Sequence, residues 1–205
     1  MFGALASLRS VVLALSLAAI VLIAACGGGG SKTVTDAGKI ASSTPGTHGT
    51  QAAETALGLL PKLDDIGFKL VQTGKPTVNQ TGLDAAIGQY ARTTPTAMTA
   101  RIEISLYPDV AKATSQFGVL SDALQNPPPG LFGPDTSQQD TDRPGPGDQG
   151  KSYVTSTPDG QGNYVWSDSY RFGRSFVVVY TLGADAKDAL TVRKTIGERL
   201  AAEIK

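Results

Sequence analysis

The sequence predicts an α+β fold, an antiparallel sheet of about five strands packed on one face by two or three helices. Three observations in the 205-residue chain support this prediction. The periodicity switches from strand to helix near residue 107, a turn joins two alternating segments near residue 159, and the C-terminal residues follow a helical repeat. We expect one domain over residues 51–205, because about 150 residues suffice for a single core.

The switch in periodicity is the clearest secondary-structure pattern. In ARIEISLY, the apolar residues Ile102, Ile104 and Leu106 alternate with polar ones, which is the two-residue period of a half-buried strand. The following residues place apolar side chains every three or four positions. They predict an amphipathic helix that Asp109 caps and that ends before the prolines after Asn126.

The C-terminal third predicts a hairpin, a central strand and a helix. KSYVTS and NYVWSDSY flank Pro158-Asp159-Gly160 and should pair with each other. SFVVVYTL is apolar on both faces, which is typical of a central strand. The final helix should run from about residue 185 to 204, since an apolar residue recurs there at every fourth position from Val192 onward.

The N-terminal part of the domain predicts two helices and a strand. QAAETALGLLPKL has helical spacing before Pro61, and GFKLVQT indicates a strand over residues 68–72. TGLDAAIGQYA places Leu83, Ile87 and Tyr90 on one helical face. We therefore expect the second helix there.

The first 25 residues have the features of an export signal. Arg9 precedes an apolar run over residues 11–25 in which Ser16 is the most polar residue. The run of 15 residues is shorter than the roughly 20 that span a bilayer, so a retained transmembrane anchor is the weaker alternative. We expect residues 1–25 to be removed as a signal peptide.

The end of this run, Ile23-Ala24-Ala25-Cys26, resembles the lipobox of bacterial lipoprotein precursors. The resemblance implies a diacylglyceryl thioether on Cys26, cleavage after Ala25 and often acylation of the new amino terminus. Two or three acyl chains hold a protein stably on a bilayer. Four glycines follow Cys26 and disfavour the alternative of a cysteine buried in a helix. The expected location is the extracytoplasmic face of a cell membrane.

Residues 26–50 predict a lipid-anchored flexible tether, because they are rich in Gly, Ser and Thr and lack apolar periodicity. The layout that follows is a helix ending in LLPKLDDIGF, a strand, an amphipathic helix, a hairpin and a C-terminal helix. This order resembles small exported domains of bacterial lipoproteins of unassigned function. The resemblance is one of layout and implies no catalytic motif.

Charge and residue usage exclude several function classes. The chain has 18 basic and 18 acidic residues, and removing residues 1–25 takes away only Arg9, leaving 17 against 18. Nucleic acid is therefore not an expected partner. Cys26 is the only cysteine, which excludes an internal disulfide. The only histidine, His48, lies in the predicted tether, which disfavours serine–histidine, cysteine–histidine and zinc chemistry in the domain.

The function predicted from these features is a noncatalytic domain for binding, sensing or envelope interaction, without cofactor or metal. The expected partners are the membrane, through the anchor, and an envelope protein or glycan. The alternative is a carboxylate-dependent envelope hydrolase acting on glycans, which needs two acidic side chains about 5–10 Å apart. The sequence does not identify such a pair, because the pairing is spatial. Possible calcium ligands, for which solvated carboxylates are the favoured alternative, are Asp64, Asp65, Asp135, Asp140, Asp142 and Asp148.

Two apolar sets are candidate contacts for a ligand or partner. Tyr164, Trp166 and Tyr170 share one strand face with Asp168, so they can stack on a sugar or a cation, or simply cover the core. Leu131 and Phe132 lie in a Pro- and Gly-rich loop over residues 126–150, where they can dock on the domain or contact a partner.

Two further motifs have ordinary explanations. Arg171 and Arg174 flank a predicted turn, where they can bind an anion or stabilise the turn through ion pairs. GPGDQG matches G-x-G-x-x-G, but it precedes a strand instead of following one. It therefore does not predict a dinucleotide site.

Overall fold

The computed structural model describes residues 55–76, 83–125 and 137–204. Cys26, His48, Asp135, Leu131 and Phe132 lie outside the described residues. The described ranges contain seven strands, two α-helices and one 3-10 turn at Asp64–Ile66. The strands are β1 Lys69–Gly74, β2 Asp84–Arg92, β3 Met98–Leu106, β4 Ser137–Gln139, β5 Gln149–Thr155, β6 Tyr164–Phe172 and β7 Ser175–Gly183, and the helices are α1 Val110–Ala123 and α2 Ala186–Glu203.

All seven strands form one antiparallel sheet in the order β1-β2-β3-β7-β6-β5-β4. The α+β class is confirmed, but the sheet has seven strands instead of about five. β5 and β6 form the predicted hairpin, and β7 is the predicted central strand. One extra strand is β2, which replaces the second predicted helix, and the other is the short β4 within the long loop.

β2 is a strand because it pairs with β3 along its whole length, which a helix cannot do. All nine of its residues pair with β3, from Asp84 opposite Leu106 to Arg92 opposite Met98. The Tyr90 side chain is buried and its hydroxyl donates to the Pro61 carbonyl at 3.0 Å. Tertiary pairing of this length overrides a short apolar pattern, and the prediction of a helix here was wrong.

Helices cover both faces of the sheet, which corrects the prediction of helices on one face. β7 shows the reason, since Val177 and Val179 join the core under α2, while Phe176 and Val178 join a second cluster with α1. Alternate residues of a strand point to opposite faces. A central strand that is apolar on both sides therefore needs a helix on each side, and the domain has three layers.

Both α-helices begin where the sequence predicts. Asp109 caps α1 by accepting from the Lys112 N–H at 2.7 Å, and Asp185 caps α2 by accepting from the Asp188 N–H at 2.9 Å. The buried stripe of α2 packs on the sheet through Ala189, Val192, Ile196 and Leu200. Neither described helix is long and apolar enough to span a bilayer.

The segment before β1 completes the core on the α2 side. Residues 56–59 form turns, so the described part of the first predicted helix is not helical. Leu59, Leu63 and Phe68 are buried against the same cluster as α2. The predicted strand over residues 68–72 corresponds to β1.

Candidate functional site

A groove of about 630 Å³ opens at the start of α2. It lies where three parts of the chain meet, the end of the β2–β3 connection, the residue before β6 and the connection from β7 into α2. Its lining residues are Thr96, Ala97, Met98, Asn163, Ala184, Asp185, Ala186 and Lys187. The sheet and the helix cap therefore fix the walls of the groove.

A buried arginine supports one wall of the groove. Arg92 is 5 % exposed and donates from Nε to the Thr96 carbonyl at 3.2 Å and from Nη2 to Thr96 Oγ1 at 3.1 Å. Its guanidinium also pairs with the Asp188 carboxylate and lies 5.2 Å from the centre of the Phe68 ring. These contacts hold the Thr96 loop against the first turn of α2.

The carboxylate of Asp188 stays ionised in this setting. Burial alone would raise its pKa, but hydrogen bonds from Thr96 and Arg92 outweigh burial and lower the pKa below the ordinary value of 3.8. Asp188 also lies in the first turn of α2, where the helix dipole favours a negative charge. The ion pair is therefore a permanent part of the groove wall near neutral pH.

The lining combines apolar and polar groups. Ala97, Met98 and Ala184 give apolar surface, whereas Asn163 and Lys187 offer hydrogen bonds and one positive charge. The side chain of Asp185 is already used to cap α2. Such a lining fits a ligand that presents apolar surface together with acceptor or anionic groups.

A second polar cluster is sealed inside the domain, under α2. Arg193 donates to Asp168 through two parallel bonds, from Nε to Oδ2 at 2.8 Å and from Nη2 to Oδ1 at 2.6 Å. Its Nη1 donates to Asp140 Oδ2 at 2.8 Å, and Ser152 Oγ donates to Asp168 Oδ1 at 2.7 Å. This bidentate geometry ties α2 to β6, β5 and the residue after β4.

The electrostatics of this cluster are those of a structural ion pair. Burial raises the pKa of Asp168, and the bonds from Arg193 and Ser152 act in the opposite direction. The hydrogen bonds that Arg193 donates to Asp168 and Asp140, with the charges of these carboxylates, outweigh burial and raise the pKa of Arg193, which stays protonated. The Arg193 guanidinium also lies 5.9 Å from the Trp166 ring centre. The pair is enclosed by core residues and not aimed into a cleft.

The aromatic candidates lie in the interior. Trp166 is 5 % exposed and Tyr170 is 1 % exposed, while Tyr164 is half-buried with its ring centre 6.0 Å from that of Trp166. Burial raises the pKa of Tyr170. The two buried rings cover the core on the α2 side, which is the packing alternative for this strand face, and offer no open surface for stacking.

The acidic and basic candidates mostly pair with each other. Asp148 pairs with Arg171 at 2.9 Å and also accepts from the Gly173 N–H at 2.8 Å, so Arg171 stabilises the turn between β6 and β7. Arg174 donates to the Tyr107 carbonyl at 3.3 Å, and Asp65 pairs with Arg199. Within the described ranges, no group of three or more acidic, histidine or cysteine side chains is arranged to hold a metal ion.

Sequence reasoning missed the groove and the partner of Asp168. Thr96 and Asn163 belong to separate connections and Lys187 to the first turn of α2, and no spacing in the sequence links them. Arg193 did leave a signal, because Ala189, Arg193, Ile196 and Leu200 follow helical spacing on one stripe. A charged residue within an apolar stripe, combined with an aspartate in the middle of a buried strand, predicts an internal ion pair.

Comparisons with known proteins identify a solved structure with a similar fold. No protein-family model matches the chain, and no curated protein matches it significantly. Among solved structures, the chain is similar to the crystal structure of the extracellular domain of PknH from Mycobacterium tuberculosis, with a TM-score of 0.50 and 9 % identity. The alignment covers 76 % of this chain and 98 % of that chain. At this identity, the likeness concerns the fold alone.

Proposed function

We propose that this protein is a lipid-anchored lipoprotein of a bacterial cell envelope, with a noncatalytic binding domain on the extracytoplasmic side. The observation that carries the proposal is the sequence Ile23-Ala24-Ala25-Cys26 after a charged and then apolar start. The resemblance of the fold to an extracellular domain supports the same location. Cys26 would carry the acyl chains, and the residues up to 50 would tether the domain to the bilayer.

The groove at the start of α2 is where we expect the domain to bind its ligand. It is a concave part of the described surface in which apolar groups, an amide and a lysine converge. Its walls are held by the Arg92–Asp188 pair, so the groove is formed before any ligand arrives. An envelope polymer that carries sugars, peptides and carboxylates has the matching chemistry.

The anchor is tested by fractionation of a bacterial host that expresses the full chain. The wild-type protein should be recovered in the membrane fraction and released by detergent but not by high salt, because acyl chains hold it there. Cys26→Ser removes the acceptor thiol and should block both acylation and signal cleavage. A control change, Ser31→Ala, lies five residues after the cysteine and should leave processing intact. Wild-type protein in the soluble fraction would contradict the anchor.

Binding is tested with soluble peptidoglycan fragments as the probe, because they present sugar and peptide together. Isothermal titration should detect binding to the wild-type chain. We expect Lys187→Ala and Ala184→Trp to weaken it, the first by removing a cation and the second by filling the groove. Lys194→Ala is the matched control, since Lys194 is an exposed lysine on the same helix outside the groove. Equal losses in all three variants would contradict a site in the groove.

The alternative, a carboxylate-dependent glycan hydrolase, has no observation of its own in the described residues. Asp168 and Asp140 are both bound by Arg193, and Asp168 is enclosed by the core. Turnover of the same peptidoglycan fragments by the wild-type chain, abolished by one Asp→Asn change, would favour the hydrolase over the binding domain.

A further inference from the structure

The edge strand β1 is exposed along its whole length. All six of its residues are exposed, among them Leu70 at 48 % and Val71 at 63 %. Leu57, in the turn before it, is 56 % exposed. The turn segment runs beside β2, because the Ala56 N–H donates to Asp84 and Pro61 accepts from Tyr90. Leu70 and Val71 lie on the free edge of the sheet, and we call the set formed by Leu57, Leu70 and Val71 the β1 margin.

Two exposed lysines flank β1, and the carboxylates near this edge belong to the turn segment and to Asp84 at the start of β2. Lys69 begins β1 and Lys75 directly follows it, and both side chains are exposed. Among the described residues, neither lysine takes part in an ion pair. Lys62 adds a third exposed cation in the preceding turn, where Asp64 and Asp65 also lie, the latter paired with Arg199. The margin thus combines apolar side chains with lysines that are unpaired within the described residues, on a chain whose formal net charge is zero.

The form of β1 opposes pairing with another strand. The register of β1 on β2 shifts between Leu70 and Gln72, so Val71 occupies an irregularity in the edge. Bulges and lysines at an edge are devices that prevent sheet-to-sheet association. These devices do not prevent contact with a lipid bilayer. Lysines beside apolar residues are typical of segments that bind the interface of an anionic bilayer.

The position of the β1 margin in the chain agrees with a bilayer contact. Twenty-eight residues separate Cys26 from Thr55, where the described domain begins beside β2. If Cys26 is lipid-anchored, this segment keeps the domain close to the bilayer. A tethered surface is presented at a high effective concentration, so even a weak contact is populated. The β1 margin lies next to the point where the chain enters the domain.

We propose that the β1 margin, formed by Leu57, Leu70, Val71 and the flanking lysines, docks the domain on the anionic lipid surface to which its tether is attached. This inference rests on the proposed lipid anchor at Cys26. Docking through this margin orients the domain, because β1 is the edge strand of the sheet and the groove lies at the start of α2, at the ends of the inner strands β3, β6 and β7.

The test uses the mature acylated chain in vesicles that contain phosphatidylglycerol and phosphatidylcholine. Val71→Cys introduces the only free thiol, since Cys26 is acylated, and an environment-sensitive fluorophore is attached to it. Val119→Cys is the matched control, because Val119 is an exposed valine on α1, at 54 % against 63 %. We expect quenchers on the lipid chains to quench the label at position 71 several-fold more than the label at position 119.

A charge-reversal pair tests the lysines. Lys69→Glu combined with Lys75→Glu should reduce the quenching at position 71 to the level at position 119, whereas Lys194→Glu on α2 should not change it. High salt should reduce it as well, since exposed charges are screened. Equal quenching at both positions, or the same quenching without anionic lipid, would overturn the proposal.

The outcomes separate the docking surface from the anchor. If the chain floats with the vesicles but the labels at positions 71 and 119 are quenched equally, the anchor is retained and the proposed docking surface is overturned. A chain that does not float overturns both. Rapid disulfide cross-linking between two copies through Val71→Cys in the absence of lipid would identify the margin as a self-association surface and would also overturn the proposal.

Discussion

Arg193 shows how one buried residue connects three parts of the structure. Its side chain is 2 % exposed and binds carboxylates from β6 and from the residue after β4. Its guanidinium also lies near the ring of Trp166. A buried ion pair brings little net stability compared with apolar residues of the same volume, but it penalises any arrangement that separates its charges. We infer that this cluster sets the position of α2 on the sheet.

The first prediction concerns the two carboxylates that Arg193 binds. Asp168→Ala should lower the free energy of unfolding by about 3–5 kcal/mol, because it leaves a buried guanidinium without its bidentate partner. Asp140→Ala should cost less, since Asp140 is 16 % exposed and makes one of the three bonds. Urea unfolding measures both changes.

Asp142→Ala is the control for this prediction, because Asp142 is exposed and close in sequence to Asp140. We expect it to change stability by less than about 0.5 kcal/mol. Equal losses for Asp168→Ala and Asp142→Ala would contradict a structural ion pair. A double variant, Arg193→Met with Asp168→Leu, should lose less than the sum of the single losses, since it removes both charges together.

At the scale of residues, the sequence predicted helix caps better than sites. Asp109 was identifiable as a cap because a cap acts on a backbone N–H three residues away, whereas position 185 was predicted only as the approximate start of the final helix. The groove brings together Thr96, Asn163 and Lys187, which are distant in sequence, so only the folded sheet places them together. The aromatic face was ambiguous because the same residues suit a core and a stacking surface, and burial decides between the two.

At the scale of elements, α2 packs unusually closely against the segment 140–148, which we call the strap. A Cβ atom on Gly197 would lie 2.6 Å from the Cα of Gly145 and 3.4 Å from Cδ of Pro146. Gly145 in turn lies against Tyr170, whose ring a Cβ there would meet at 2.8 Å. The two glycines allow the strap to cross the helix above the core.

The second prediction follows from this contact. Gly→Ala within a helix ordinarily stabilises by up to about 1 kcal/mol. Gly197→Ala should instead destabilise the domain by about 1–3 kcal/mol, because the new methyl group displaces the strap backbone. Thermal and urea unfolding both measure this difference.

Gly118→Ala is the matched control, since Gly118 lies inside α1 and an added Cβ there has no other heavy atom within 4 Å. It should stabilise the domain or leave it unchanged. The contact between the strap and α2 would be contradicted if both alanine variants were stabilised equally.

The third prediction concerns the pH dependence of the first turn of α2. The pKa of Asp188 is lowered in the folded state, so its ionised form contributes stability above the unfolded pKa. That contribution is lost as the pH falls through the lowered folded value. Asp188→Asn should therefore cost on the order of 2 kcal/mol near neutral pH, and the difference from wild type should shrink below the ordinary value of 3.8.

Urea unfolding at a series of pH values measures this dependence. Thr96→Ser keeps the hydroxyl that donates to Asp188 and should keep the wild-type pH profile. A constant difference between wild type and Asp188→Asn across the acidic range would contradict the lowered pKa.

The elements that the sequence predicted best are those with an unbroken period. β3, α1, β7 and α2 were recognisable because their apolar residues repeat without interruption over two turns or more, or over several alternations. β2 was predicted as a helix because Ala and Gly carry little strand signal and because Leu83, Ile87 and Tyr90 fall at helical spacing. β4 is three residues long, which is too short for any period.

At the scale of the whole molecule, the sheet separates two cores. The larger core lies under α2 and the segment before β1, and the smaller one lies under α1. Ser167 and Ser169 of β6 lie on the strand face opposite Trp166 and Tyr170, and their small polar side chains are not typical of a core. They are nevertheless buried, and Ser169 bonds to Ser121 of α1 at 2.9 Å, so a small polar interface replaces an apolar one.

The strand order places different surfaces at different ends of the molecule. β1 is an open edge, whereas the β4 edge is short and leads into the strap that Arg193 and Gly197 hold. The groove at the start of α2 lies between these ends, beside β3, β7 and β6. None of the residues that line the groove belongs to the β1 margin.

The most direct test of the proposed function is intact-mass spectrometry of the protein extracted from bacterial membranes. We expect a chain that begins at Cys26 and carries a diacylglyceryl group on its sulfur, with an additional acyl chain on the amino group in hosts that add one. A chain that retains residues 1–25, or one with an unmodified sulfur at Cys26, would contradict the anchor, and the proposed location and the docking surface would both be withdrawn.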